Sequence, residues 1–314
     1  MKSDNLIIVR AGKDSLHTKW LENTDGEPVD FDVLVAAHHK DAMKNDSGHV
    51  KYIFIPGTKV HGWDIVLSEH HDFISTYQRI ALIDDDIDSD AGTLNRCFAF
   101  GRDHGLSIWQ PSLTHDSYAT YGACLQNERF LLRHVNHVEM MCPFFEASVL
   151  REISPLFSLG FESGIDLVWC SIARDLGGRC AIIDACTVTH TKPVGGQKQL
   201  NGFIGKNYED DIFEILRLFD MKWPSWVAET AIDRADNTIH TGISLRLSPT
   251  RLLLTFHLAP KGTRLLRLKA LLDHIRHQLF RQPYYGKSTL EKISRVGKRP
   301  PKAISTLTHT AHTI

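Results

Sequence analysis

The sequence has no long apolar run, which excludes several classes of protein at the outset. None of its runs approaches the roughly 18 residues that a transmembrane helix requires. The apolar part of the N-terminus, residues 6–9, is too short for a signal peptide. Internal repeats and low-complexity tracts are also missing. We therefore expect a cytoplasmic protein that does not span a membrane.

Cysteine is sparse as well. The 314 residues include six cysteines, which are scattered and form no Cys-x-x-Cys pair. Such spacing excludes a dense disulfide framework. It predicts reduced thiols in the protein core and a reducing compartment.

The net charge is close to zero, at −1, but it is unevenly distributed. Between Lys261 and Lys302 there are twelve Lys or Arg residues and only two acids, Asp273 and Glu291, a balance of +10. The remaining chain must therefore be acidic. This pattern indicates a neutral-to-acidic body with a basic C-terminal segment. The apolar content of 42% and charged content of 23% are ordinary for a globular protein.

Short apolar runs recur through the first two hundred residues, separated by helical or mixed stretches. Runs of this length bounded by polar residues are typical of buried strands. They lie at residues 6–9, 32–37, 51–55, 80–83, 106–111, 135–141 and 180–184. Amphipathic spacing predicts helices over residues 91–102 and 166–175. Alternating strands and helices predict an α/β fold with a mostly parallel sheet flanked by helices.

Beyond residue 205 the character of the sequence changes. Residues 210–220 predict an amphipathic helix, and residues 243–247 and 252–256 alternate in a way that predicts a β-hairpin. Residues 263–280 place leucines on one side and basic residues elsewhere, which predicts a basic amphipathic helix. We therefore divide the chain into a catalytic domain (1–205), a C-terminal helical and β-hairpin extension (206–282) and a basic, flexible tail (283–314).

The run at residues 80–83 ends in three consecutive aspartates, Asp84, Asp85 and Asp86. Adjacent carboxylates repel one another, so their clustering favours a bound cation. Hard divalent cations take carboxylate oxygens as ligands. In open α/β sheets ligands bind beyond the carboxyl ends of the strands, where this cluster falls. A solvated acidic turn is the alternative.

Together with three later features, the triplet resembles the GT-A glycosyltransferases. These features are Gln110-Pro111, the helix start at Ser163-Gly164-Ile165-Asp166, and His190 after a late strand. The closest likeness is to an uncharacterised plant and bacterial family with an aspartate triplet and a Gln-Pro motif. The resemblance covers residues 1–200 and implies a GT-A-like, Rossmann-like α/β fold. One departure is that Ile165 stands where the family usually has the first acid of a pair.

The resemblance also implies roles for individual residues. Asp166 would be the general base and Glu139, in the segment 138–144, would contact the acceptor. The metal ligands would be Asp84, Asp86 and His190. Asp84 and Asp86 would also hold the ribose of the nucleotide sugar. Beyond the resemblance, we expect further contacts to the nucleotide sugar from Asp85, Arg10, Lys59 and Lys192. Gly195-Gly196 would form a mobile flap over the diphosphate, with Lys192 as a counter-charge.

These residue types suit metal-dependent sugar transfer. A metal neutralises the leaving diphosphate, and a site of carboxylates with one imidazole suits Mn2+ or Mg2+. A carboxylate within hydrogen-bond reach of the acceptor hydroxyl serves as general base. We therefore expect a glycosyltransferase, inverting in mechanism, that uses a nucleotide sugar, with a UDP-sugar as the first guess. The acceptor would be a glycan or a glycolipid.

Other functions are compatible with parts of the same pattern. A haloacid-dehalogenase-type phosphatase also places Asp-x-Asp at a strand end, although Asp88 stands where that family has Thr or Val. A non-catalytic carbohydrate-binding protein on the same fold is the second alternative. The basic helix at 263–280 either lies on an anionic membrane surface, at its inner face, or packs against the main domain. Nucleic acid is not an expected partner, because no known binding motif accompanies the basic residues.

Overall fold

Eleven strands and nine α-helices make up the described part of the chain, which is residues 3–22, 26, 28–193 and 208–296 of a computed structural model. The strands are β1 (Asn5–Ala11), β2 (Asp32–Ala37), β3 (Val50–Phe54), β4 (Arg79–Asp84), β5 (Ile87–Asp88), β6 (Ile108–Leu113), β7 (Phe130–Val135), β8 (Phe144–Glu146), β9 (Cys180–His190), β10 (Ala228–Asp233) and β11 (Ile239–His240). The α-helices are α1 (Lys59–Glu69), α2 (His71–Ile74), α3 (Ala91–Asp103), α4 (Ala147–Ile153), α5 (Asp166–Asp175), α6 (Tyr208–Leu218), α7 (Gly242–Leu247), α8 (Arg264–Phe280) and α9 (Thr289–Val296). Short 3-10 helices lie at Lys19–Leu21, Lys40–Ala42, Gly122–Cys124, Ser154–Leu159 and Ser248–Leu258.

One large sheet runs through the centre, in the order β11-β10-β7-β9-β6-β8-β4-β1-β2-β3, while β5 pairs with β9 off this path. Helices flank the sheet, so the predicted α/β class is confirmed. The sheet is mixed, because among the described strand pairs four are parallel and six antiparallel. The three-residue strand β8 lies antiparallel between β4 and β6. Apolar periodicity predicts burial but not strand direction.

The sheet has a hydrophobic layer on each face. In β1 all seven residues are buried, with Leu6 and Ile8 in one core cluster and Ile7 and Val9 in the other. This alternation is what a parallel strand covered on both faces requires. All six cysteines are buried and free, which confirms their prediction as core thiols.

Some elements differ in position or type from those predicted from the sequence. The predicted strand at 135–141 is the earlier β7, and the predicted strand at 106–111 continues past Pro111 to Leu113. The predicted β-hairpin at 243–256 is wrong, since these residues form α7 and the 3-10 helix Ser248–Leu258. Pro249 lacks the N–H that a strand ladder needs and fits the first turn of a helix. The hairpin of this region is β10–β11 instead.

The segment after residue 205 continues the central sheet. Strand β10 pairs antiparallel with β7, and Arg129 of the body pairs with Asp233 of β10. The division of the chain at residue 205 stays a prediction. No helix in the described part of the chain is long and apolar enough to cross a membrane.

A buried ion pair joins β7 to β9. The Arg133 Nε lies 2.7 Å from the Asp184 carboxylate, and both side chains are almost fully buried. The Arg133 guanidinium also donates to the carbonyls of Ala123 and Leu125. The Asp184 carboxylate further accepts from the N–H of Asn127. The pair therefore fixes the loop that precedes β7.

We expect Asp184→Asn to destabilise the protein by about 3–5 kcal/mol, because it leaves a buried guanidinium without its counter-charge. Urea unfolding measures this loss. The matched control is Asp103→Asn, which removes an exposed pair of similar length with Arg102 (2.8 Å) and should have little effect. Equal losses in the two variants would contradict this account.

Candidate active site

The aspartate triplet and His190 meet because two short strands pair. Asp84 ends β4, and Asp85 and Asp86 form the turn into β5. Strand β5 runs antiparallel to the end of β9, with Ile87 opposite His190. The N–H and the hydroxyl of Thr191 both donate to the Asp86 carbonyl. Backbone pairing thus brings His190 beside the triplet.

His190 faces Asp86 with one ring nitrogen and a backbone carbonyl with the other. Its Nε2 lies 3.4 Å from the Asp86 Oδ1, and its Nδ1 lies 2.7 Å from the Tyr118 carbonyl. Since a carbonyl only accepts, Nδ1 carries the hydrogen and Nε2 is directed at the carboxylate. Burial alone would lower the pKa of His190, but the hydrogen bond and charge of Asp86 raise it to about 9. Asp86 therefore favours the protonated form of the His190 ring.

Asp84 is paired with Lys59. The Lys59 Nζ lies 2.6 Å from the Asp84 carboxylate and also donates to the Met140 carbonyl at 3.0 Å. Burial raises the pKa of Asp84 to about 6, against the opposing charge of Lys59. The N–H of Asp84 donates to the Met141 carbonyl, so β4 and the segment 138–144 lie side by side. The predicted residues Lys59 and Asp84 are therefore in one site.

The position of Lys59 is set by a carboxylate from another part of the chain. Lys59 is the first residue of α1, whose first N–H groups need acceptors. The Glu162 carboxylate accepts from the N–H groups of Val60 and His61, and from the hydroxyl of Thr58. Glu162 therefore caps the N-terminus of α1, although it lies far from this helix in the sequence. Glu162 could not be identified from the sequence, because capping by a distant side chain leaves no local pattern.

Arg10 lies beneath the site and contacts backbone. Only 4% of it is exposed, and its guanidinium donates to the carbonyls of Ala36, Gly57 and Thr58. Burial lowers its pKa to about 10. A Cβ at Gly62 would lie 2.1 Å from the Arg10 guanidinium carbon, so this glycine leaves the space that Arg10 fills. The geometry makes Arg10 a positioning residue for the start of α1, and its predicted contact with the nucleotide stays a prediction.

The carboxyl ends of β1, β2 and β4 converge at Asp85. The Asp85 carboxylate accepts from the Gly12 N–H at 2.7 Å. His38, directly after β2, lies so close that a Cβ on Gly12 would be 3.1 Å from its Nε2 and 3.2 Å from the Asp85 carboxylate. Burial raises the pKa of Asp85 and lowers that of His38. His38 was not among the predicted residues, although the strand-end rule that singled out the aspartates also applies to it.

Lys192 follows His190 by two positions and is partly buried. Its charge opposes the rise in the pKa of Asp85 and helps to lower that of Asp86. It is therefore a second cation near the triplet. The predicted flap, Gly195-Gly196, lies outside the described residues.

A second pair of carboxylates, Glu139 and Asp166, is buried near the first group. Burial, and then the charge of Glu139, raise the pKa of Asp166 to about 7. Burial also raises the pKa of Glu139, while the charges of His190 and Lys59 oppose the rise. Lys59 acts on Asp166 in the same direction. The two carboxylate groups thus belong to one electrostatic site.

Backbone and core contacts hold this second pair. Gly164, two residues before Asp166, has a φ of +84°, and a Cβ there would lie 3.1 Å from the Ile212 backbone. Only glycine satisfies both conditions, and the helix can therefore start at Asp166. The Trp169 indole donates to the Val138 carbonyl at 2.9 Å, which ties α5 to the segment that carries Glu139.

The Gln110-Pro111 motif also supports Glu139. Gln110 is fully buried, and its side-chain carbonyl accepts from the Glu139 N–H at 2.6 Å. The thiol of Cys124 donates to the Glu139 carboxylate. Pro111 lies where the register between β6 and β9 shifts, a position where a strand tolerates proline.

His137 is a further group beside Asp166. Its Nε2 lies 3.7 Å from the Asp166 carboxylate, and it has no hydrogen-bond partner among the residues that the structure describes. Burial lowers the pKa of His137 well below its ordinary value, so the ring is neutral. A neutral imidazole can exchange a hydrogen bond with Asp166 in either protonation state.

The donor atoms suit a divalent cation, although the site is not preformed. In the described part of the chain, no group of three His, Cys, Asp or Glu side chains is arranged to hold a metal ion. The reason is that the Asp84 carboxylate is already paired with the Lys59 ammonium. Asp86 and His190 fit better, because metal-bound histidines usually donate their other N–H to a carbonyl or carboxylate, as His190 does to Tyr118. Asp84 could join them only by leaving Lys59.

Comparisons with known proteins give structural likeness alone. Neither protein-family models nor curated proteins match the chain. Solved structures that are similar include the following three. GalNAc-T7 with UDP, GalNAc and Mn2+ has a TM-score of 0.49 at 10% identity, over 71% of this chain and 49% of that one. The S. aureus TarS 1-349 complex with UDP-GlcNAc has a TM-score of 0.42 at 13% identity, over 88% and 90%. A197 from STIV has 0.38 at 12%, over 77% and 97%.

The chain spans about half the length of the GalNAc-T7 structure, at 49%. With all three TM-scores below 0.5, the function has to be argued from the side chains of this protein. Those side chains define an acidic site at the carboxyl edge of an α/β sheet, with Lys59 at its centre.

Asp166→Asn tests the electrostatics of this site. Burial raises the pKa of Asp166 from its ordinary value to about 7, so the folded state binds this proton more tightly than the unfolded state does. The free energy of unfolding therefore falls as pH rises towards 7, where the buried carboxylate ionises. The variant removes that cost. We expect its melting temperature to exceed that of the wild type by a few degrees above pH 7, and the gain to shrink towards pH 5.

The control is Asp103→Asn, because the Arg102 hydrogen bond lowers the pKa of Asp103, which is the opposite direction. This variant should gain no stability at any pH. A melting temperature of Asp166→Asn that stays at or below the wild-type value above pH 7 would contradict the assignment.

Proposed function

We propose that this protein transfers a sugar from a nucleotide-diphosphate sugar to a hydroxyl group of a glycan or glycolipid, with Mn2+ or Mg2+ as cofactor. The observation that carries the proposal is the β5–β9 pairing. It sets Asp86 against His190, 3.4 Å apart, beside the Lys59–Asp84 pair. The same site includes Asp166, a carboxylate whose pKa of about 7 suits a general base.

One half of the site holds the leaving group. A divalent ion held by Asp86 and His190, with Asp84 after it leaves Lys59, would neutralise the diphosphate as its bond to the sugar breaks. In this proposal the Lys59 ammonium releases Asp84 and binds a phosphate oxygen instead. Lys192 adds a second positive charge. We assign the nucleoside to the strand ends around Gly12, His38 and Asp85, with UDP as the first nucleotide to test.

The other half holds the acceptor. With a pKa of about 7, Asp166 is a substantial fraction ionised at neutral pH and can accept the proton of the attacking hydroxyl. Glu139 contributes by raising that pKa, and by binding acceptor hydroxyl groups. A base on the acceptor side and a cationic group on the leaving-group side support a single displacement, which inverts the configuration at the sugar.

The proposal places all of these residues in a catalytic domain at 1–205, with the extension at 206–282 and the tail at 283–314. The side chains assigned to the site, from Arg10 to Lys192, all fall within residues 1–205. A phosphatase that uses Asp84 as nucleophile is the second candidate, because the Lys59 contact would also hold a phosphate beside Asp84. Hydrolysis of an aryl phosphate without any nucleotide would favour it.

Thermal-shift measurements test the transferase proposal. We expect one of UDP, GDP, CMP or dTDP to raise the melting temperature when Mn2+ is present and much less without it. A ligand that binds only the folded state stabilises it by about 2.7 kcal/mol at a hundred times its dissociation constant. Asp86→Asn should lose the part of the shift that depends on Mn2+.

The matched control is Asp88→Asn, two residues further on, whose carboxylate contacts the exposed Lys19 instead of His190. Its shift should equal that of the wild type. If no nucleotide raises the melting temperature in the presence of Mn2+, the transferase proposal fails.

A further inference from the structure

Helix α8 leaves three of its leucines and its last residue, Phe280, exposed to water, while Leu271 is buried. The exposed fractions are 83% for Leu265, 69% for Leu266, 51% for Leu272 and 78% for Phe280. The sequence had predicted an apolar face that includes Leu265 and Leu272 on this helix, and a water-soluble helix normally buries such a face. Here these leucines remain exposed in the folded chain.

Polar contacts on the inner side fix this orientation. Gln278 is buried and exchanges two hydrogen bonds with the backbone of Ala228, each 2.8 Å long. Arg267 is buried as well and donates to the carbonyls of His115 and Ser117. Buried polar groups that lose such partners are costly, so the helix cannot rotate to bury the exposed leucines Leu265, Leu266 and Leu272. Their exposure is a property of the fold.

Neighbouring elements extend the apolar surface. Helix α7 and the 3-10 helix Ser248–Leu258 both pack against α8. Each presents a large apolar side chain to water, Ile243 at 76% and Leu254 at 77% exposed. We call this set the outer leucine face: Ile243, Leu254, Leu265, Leu266, Leu272 and Phe280. Exposed apolar groups of this kind mark interaction surfaces.

The same elements are strongly basic. Between residues 242 and 281 the chain has eight Lys or Arg residues and one acid, Asp273. That acid is already paired with Arg276 at 3.1 Å. Six of the basic residues are exposed, and they are Arg251, Lys261, Arg264, Lys269, Arg276 and Arg281. The surface is therefore apolar and cationic at once.

We propose that the outer leucine face docks this protein on an anionic lipid bilayer. Its apolar side chains would insert at the boundary of headgroups and acyl chains, and the exposed cations would contact lipid phosphates. A second copy of the chain is a poorer partner, because it would bring two cationic faces together. Nucleic acid would satisfy the cations but leave the leucines in water. This proposal does not depend on the transferase activity.

Docking there would place the bilayer on an element that supports the candidate active site. Arg267 of α8 bonds to the Ser117 carbonyl, and the Ser117 hydroxyl accepts from the His190 N–H. The neighbouring Tyr118 carbonyl accepts from the His190 ring. The helix that meets the lipid thus holds the loop that orients His190.

Vesicle sedimentation tests the proposal on the full chain. We expect binding to vesicles of phosphatidylcholine mixed with phosphatidylglycerol, and much weaker binding to phosphatidylcholine alone. The variant Leu265→Ser with Leu272→Ser should bind about tenfold more weakly or worse, as should Lys261→Glu with Lys269→Glu. All four residues are exposed, so both variants should keep the wild-type melting temperature.

The control is Phe213→Ser, which removes a large apolar side chain, 62% exposed, from α6 instead. It should bind like the wild type. The proposal fails if the leucine variant binds anionic vesicles as well as the wild type does, or if phosphatidylcholine alone binds equally well. It also fails if the leucine variant abolishes a dimer seen by light scattering while vesicle binding is absent.

Discussion

The ammonium group of Lys59 offsets part of the negative charge of five carboxylates at the carboxyl edge of the sheet. The charge of Lys59 lowers the pKa of five acidic side chains, which are Asp84, Asp85, Asp86, Glu139 and Asp166. Burial raises the pKa of most of them, so removing Lys59 would leave several desolvated negative charges in mutual repulsion. Its place depends in turn on Glu162, which caps α1, and on Arg10, which holds the residues before the helix. Charge crowding of this kind is typical of functional sites.

Two groups of side chains serve two parts of the proposed reaction, the departure of the diphosphate and the removal of a proton from the acceptor. Both groups lie in the electrostatic field of Lys59. Around Asp86 and His190 the groups suit a cation and a diphosphate. The pKa of Asp166 is raised to about 7, so this carboxylate can both accept and release a proton near neutral pH. Lys59 acts on both halves, so binding a phosphate at Lys59 would change the field that Asp166 experiences. In the proposed reaction, binding of the nucleotide sugar at Lys59 would therefore change the pKa of Asp166.

How much of this could be predicted depended on whether the signal was local. The triplet and His190 both follow apolar runs, and ligand sites lie beyond strand ends, so their meeting could be expected. Asp166 stands at a helix start that glycine marks in the sequence. Glu162 could not be found, because it caps a helix far from it in sequence. The orientation of α8 stayed open between a membrane surface and the main domain, because periodicity defines a face but not its partner. Buried contacts such as that of Gln278 decide the rotation.

The central claim is that Asp86 and His190 bind the metal of a nucleotide-sugar site. Anomalous scattering from crystals containing Mn2+ and UDP measures this directly. We expect one strong peak within coordinating distance of the Asp86 carboxylate and the His190 Nε2, next to the diphosphate, with the Lys59–Asp84 contact opened. Ordered UDP with no manganese peak at these two residues, or with the peak elsewhere, would contradict it.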